Sequence, residues 1–127
     1  MIKNATLKSR ILALANRAAS HHDSLGKGTI DFGAWDKIND EMEAELNAID
    51  KAAGPGLKVG RVLTFGVADG CANYVVTKIR KNDVVVEWVP LGDGYHSQAV
   101  GLSADRTEYI VLRSTAEQYT RCASMFA

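Results

Sequence analysis

A chain of 127 residues with 46% apolar side chains is about one domain long and can build a modest core without metals or disulfides. Fifteen Lys and Arg balance fifteen Asp and Glu, which excludes a global field that would draw the chain to nucleic acid or an anionic membrane and leaves only local asymmetry to act. The two cysteines, Cys71 and Cys122, lie far apart in the chain, so reduced thiols in a cytoplasmic protein are expected rather than a disulfide framework.

The first twenty residues are basic, amphipathic and free of acids. A secretory signal is not expected, because the apolar run from Ile11 to Ala15 is short and sits between Arg10 and Arg17. An organelle presequence shares this composition, as does any basic helix. No run approaches membrane-spanning length. Leu7, Ile11, Leu14 and Ala18 recur on one helical face with Asn4 available as N-cap, which predicts a helix over about residues 5–20, broken by residues 21–28. A second helix is predicted from the cap Asp31 to about Ala52, with Trp35, Ile38, Met42, Leu46 and Ile49 as its apolar stripe, ended by Gly54, Pro55 and Gly56. The first segment is basic and the second acidic, so an antiparallel hairpin over residues 1–53 pairs them by sign. The stripe on the second helix is wider than a short partner helix covers. It either packs on the rest of the chain or meets another subunit, and a homo-oligomer through this hairpin is the expectation.

Strands follow. Residues 57–65 read as the first, residues 66–71 as a loop of small residues, and Tyr74 to Pro90 as a central β-hairpin rich in valine. A two-residue turn at Asn82 and Asp83 would pair Ile79 with Val86, Thr77 with Trp88 and Val75 with Pro90 on an inner face, with Lys78 opposite Glu87 outside. A Gly-Asp-Gly turn at residues 92–94, a strand over 95–102, a polar break at 103–107 and a last strand over 108–112 complete the set. A closing helix over residues 114–127 is predicted from the capping-box spacing of Ser114 and Glu117 and the stripe Tyr119, Cys122, Ala123 and Phe126. The predicted class is α+β in a single domain.

The strand and loop order of residues 57–112 resembles the SH3-like small barrel. The acidic Ala-Leu-Tyr-Asp-Tyr-type segment and the tandem tryptophan of true SH3 domains are absent, and Trp88 stands alone. The resemblance implies a scaffold whose loops bind peptides, nucleic acid or modified side chains, and not proline-rich peptides in particular. An OB-like barrel fits the same strands.

No residue pattern specifies a reaction. His21, His22 and Asp23 would need His96 or a distant cysteine to complete a metal site, and no paired ligand spacing exists, so they read as a solvated helix end and no metal or cofactor is expected. Gly26, Lys27 and Gly28 lack the spacing of a phosphate loop. Asp93, Tyr95 and His96 form the most chemical cluster, and Asp69, Cys71 and Tyr74 join them as candidate ligand-binding residues. Converging loops would make Cys71 and His96 a nucleophile and base, or Asp93 and His96 an acid-base pair, whereas a tight turn before a packed strand is the plainer account. Lys58, Arg61, Lys78, Arg80 and Lys81, with Tyr74 and Trp88, offer phosphate and stacking contacts for nucleic acid, partly neutralised by Glu87. The expectation is a small binding or adaptor protein that recognises a ligand or protein through the loops at 66–73 and 91–96. A nucleic-acid-binding accessory protein using Lys78, Arg80 and Lys81 is the first alternative, and a small enzyme using His96 and Asp93 the second.

Overall fold

The apolar periodicity that predicts α1 extends one step further than residue 20. His21 continues the three- and four-residue spacing of Leu7, Ile11, Leu14 and Ala18, and in the computed structural model, which describes residues 4–26, 32–67, 70–91 and 96–120, α1 runs unbroken over Asn4–Gly26. His21 is 7% exposed: its ring stacks on Trp35 with centroids 5.0 Å apart, its Nε2 lies 2.9 Å from the Trp35 carbonyl oxygen, and the Trp35 indole N–H donates to the His21 carbonyl at 3.2 Å. The expected solvated helix end is therefore a packed joint between α1 and α2.

The second helix, α2, spans Phe32–Ala53, and its proposed cap Asp31 lies outside the described residues. The sign pairing is present: Arg10 bonds Glu45 at 2.7 Å and Arg17 bonds Glu41 at 3.0 Å, both partly exposed pairs worth little each. The stripe expected to serve a second subunit is occupied within the chain. Met42, Leu46 and Ile49 join Ile11, Leu14, Ala15 and Ala18 of α1 and Val62, Val75 and Val89 of the sheet in one core, with Ile38 packed against it and Trp35 buried on His21.

Gly54 and Gly56 adopt positive φ after α2, as the turn signal predicts. Gly60, at φ +96°, also brings the backbone close: a Cβ there would lie 3.3 Å from Ala53 Cβ and from Leu7 Cδ2. This folds the chain back so that Val62, at the start of β1 (Val62–Val67), donates its N–H to Asp50 Oδ1 on α2 at 2.8 Å.

The sheet is antiparallel, with β2 at Gly70–Ile79, β3 at Asp83–Val89, β4 at Gly101–Leu102 and β5 at Tyr109–Leu112, in the order β1-β2-β3-β5-β4, and it is not closed. With the helices it makes an α+β fold. Of the strand predicted over 95–102, residue 95 lies outside the described residues and, of residues 96–102, only Gly101 and Leu102 are strand. A short helix α3, Arg113–Gln118, follows β5 directly from the cap residue Leu112, so Ser114 lies inside its first turn and not at the cap. The helix ends at Gln118; Tyr119 and Thr120 return to β1, where Thr64 N–H donates to the Tyr119 carbonyl at 3.2 Å and Leu63 bridges Thr120. Cys122, Ala123 and Phe126 lie outside the described residues.

The central hairpin departs from its expected register. Arg80 and Asp83 close the turn, by Arg80 N–H to the Asp83 carbonyl at 2.9 Å and Arg80 Nε to Asp83 Oδ1 at 2.7 Å, so Lys81 and Asn82 are the turn residues. A bulge at Thr77 then changes the pairing from Lys78↔Val85 to Val76↔Val86, and the Thr77 hydroxyl donates to the Val85 carbonyl at 3.2 Å. One extra residue flips every side chain beyond it to the other face. Tyr74 therefore pairs with Trp88 and Val75 with Glu87, the reverse of the expected alternation. Val62, Val75 and Val89 face the helices, while Leu63, Phe65, Tyr74, Val76, Val84, Val86 and Val111 form a second core with Ala116 of α3.

Candidate functional site

Strand alternation brings three rings to one end of this second core, and a fourth joins them from outside the strands. Tyr74 and Trp88 are cross-strand partners on β2 and β3, and Tyr109 on β5 pairs with Val86, two residues along the same face of β3. His96, in the segment between β3 and β4, lays its imidazole against them. Its ring stacks on Trp88 with centroids 3.7 Å apart and planes 25° from parallel, and lies 5.0 Å from the Tyr109 ring. The Tyr74 hydroxyl is the hub: it accepts the Ser97 N–H at 3.0 Å and meets His96 Nδ1 at 2.9 Å. Phe65 and Tyr119 extend the aromatic run, with ring centroids 4.7 Å apart.

Exposure differs sharply across the cluster. Tyr74 is fully buried, Trp88 and Tyr109 are half-buried, and His96 is exposed. Burial pushes the Tyr74 phenol above its usual pKa, against the Ser97 amide that lowers it, so the group stays a neutral phenol. Burial lowers His96 from its ordinary value. The arrangement presents an imidazole edge and a flat ring to solvent on a braced aromatic floor. That geometry suits stacking and hydrogen bonding to a partner.

Of the residues singled out in the sequence, Tyr74 and His96 come together. Cys71 is exposed, and strand alternation sets it on the opposite face of β2 from Tyr74, away from the imidazole. Asp69, Asp93 and Tyr95 lie outside the described residues. Trp88, Tyr109 and Ser97 complete the cluster without having been read as its members; the bulge at Thr77, which turns Tyr74 toward Trp88, leaves no mark in the residue pattern. Among the described residues no group of three or more His, Cys, Asp or Glu side chains could hold a metal ion.

The basic residues do not assemble with the rings. Lys78 and Lys81 are exposed at the hairpin tip, Arg80 is paired with Asp83 at 2.7 Å, and Arg61 is buried beside Asp50, with Nη1 3.5 Å from Oδ1. Five residue steps separate Tyr74 from Ile79 beside the tip, roughly 16 Å at ~3.3 Å per residue. Between β4 and β5, Asp105 accepts hydrogen bonds from the Ser103 and Thr107 side chains at 2.6 and 2.8 Å, which hold its carboxyl down to about 2. No helix among the described residues is long and apolar enough to cross a membrane. Comparison of the chain with protein-family models, with curated proteins and with solved structures finds no match.

Proposed function

We propose that the protein is a non-enzymatic binding module that recognises a partner protein or ligand through the aromatic rim formed by Trp88, His96 and Tyr109. The observation that carries the reading is the exposed imidazole of His96, stacked on Trp88 and hydrogen-bonded to the buried Tyr74 hydroxyl. An exposed ring fixed at two points loses little freedom when a partner stacks on it, and rigid aromatic anchors carry much of the energy of small interfaces. We infer a small SH3-like barrel as the scaffold, with Tyr119 and Thr120 standing beside β1 where such a barrel needs its closing strand; the Leu63–Thr120 bridge supports that placement.

Panning a random peptide library on the full chain tests the reading. Selected peptides should carry an aromatic residue and lose about tenfold or more in affinity on His96→Ala, a surface change that keeps the circular dichroism spectrum. Peptides that bind His96→Ala as tightly as the native chain would place recognition elsewhere. Salt-sensitive binding of short oligonucleotides, weakened by Lys78→Ala and untouched by His96→Ala, would favour the basic hairpin tip instead.

A further inference from the structure

We propose that His96 is a proton-operated latch on this rim: neutral, it is pinned over Trp88 by the Tyr74 hydroxyl; protonated, it leaves Trp88 and opens the shelf between Trp88 and Tyr109. Only the consequence for a partner rests on the binding reading above, since the latch itself is a property of the ring.

The argument is one of hydrogen-bond capacity. A phenol has one proton to give and two lone pairs to offer. At Tyr74 one lone pair is taken by the Ser97 N–H at 3.0 Å, and the hydroxyl is enclosed, so its proton goes to the nearest acceptor, His96 Nδ1 at 2.9 Å. That assigns the imidazole proton to Nε2. Protonating the ring places a hydrogen on Nδ1 as well, and donor then faces donor. To keep the contact, the phenol would have to accept from both Ser97 and His96 and leave its own proton without a partner in a buried position, which is costly. An imidazolium gains from the indole face of Trp88, but at an exposed ring that gain is smaller than the cost of leaving the enclosed Tyr74 hydroxyl proton without an acceptor, so the balance runs toward release, the direction in which His96 is shifted.

Among the described residues, the rings that face His96 are the Tyr74 phenol from β2, the Trp88 indole from β3 and the Tyr109 phenol from β5. None of the three brings a carboxylate to hold an imidazolium in place. The sign follows by linkage. With the folded pKa below the unfolded value, the latch contributes fully above about 6.5, the unperturbed histidine value, and is lost as pH falls through the lowered folded value.

Nitrogen-15 NMR of the imidazoles in the full chain, with His96→Asn to assign the resonances, reads the latch directly. The expected result has three parts: the Nε2–H tautomer at high pH, a midpoint below about 6.5, and loss of the His96–Trp88 ring contact in step with protonation. In Tyr74→Phe the midpoint should rise, because the donor that favours the neutral ring is gone. A neutral His96 carrying its proton on Nδ1, or a ring contact with Trp88 that persists below the midpoint, would overturn the proposal, and the native chain alone supplies both readings. Failure of the peptide selection would leave this titration unchanged, so the two proposals fail separately.

Discussion

Replacing Asp50 with alanine is expected to cost the fold about 3–5 kcal/mol, a large share of the ~5–15 kcal/mol that typical domains possess. Asp50 is 3% exposed and Arg61 5%. One carboxylate oxygen, Oδ1, both accepts the Val62 N–H at 2.8 Å and lies 3.5 Å from Arg61 Nη1, which itself donates to the Gly54 carbonyl at 2.8 Å. Removing the carboxylate takes the Asp50 oxygen away from a buried guanidinium and the acceptor away from the first residue of β1. Asp50→Asn keeps an acceptor and loses only the charge, so it should fall between alanine and the native chain. Urea unfolding checks both, as a lower midpoint at an unchanged slope. An alanine variant within about 1 kcal/mol of the native chain would show that the pair is not what ties α2 to the sheet.

Met42→Glu is expected to unfold the domain. The side chain is wholly enclosed in the core between α1, α2 and the sheet, where an ionised carboxylate has neither water nor a partner. Met42→Ala should lose about 2–5 kcal/mol by the cavity it leaves. Circular dichroism and light scattering together read the outcome. A folded Met42→Glu chain of reduced mass would instead place this stripe between subunits, the role its apolar character first suggests.

How far the residues announce this fold depends on whether the controlling contact is local. The helices, their opposite charges and the turn at Gly54 to Gly56 follow from spacing and composition, since each arises within a few residues. The reach of α1 to Gly26 is written in the same spacing, with His21 as the next step of the stripe, but its polar ring masks that role. The hairpin register was not legible. Asp83 looks like a turn residue, but its bond to Arg80 draws it into β3, and the compensating bulge at Thr77 depends on packing across the sheet. Arg61 reads from the residue pattern as a phosphate contact because its pairing with Asp50 needs the backbone reversal at Gly60. In the candidate site, Tyr74 and His96 were marked by residue type alone, and their 2.9 Å contact joins residues 22 positions apart. Trp88 and Tyr109 reach the same place only because the flipped register points Tyr74 toward them.

The return of Tyr119 and Thr120 to β1 bears on how copies of this chain behave at high concentration. An open sheet ordinarily offers unpaired backbone at both margins, a template on which strands of other molecules polymerise. Here the chain's own tail lies against one margin at Leu63 and Thr64, and the other margin is β4, only two residues long. A foreign strand thus meets a margin already occupied at Leu63 and Thr64 on one side and a two-residue strand on the other, which shortens the backbone either edge offers for fibril growth.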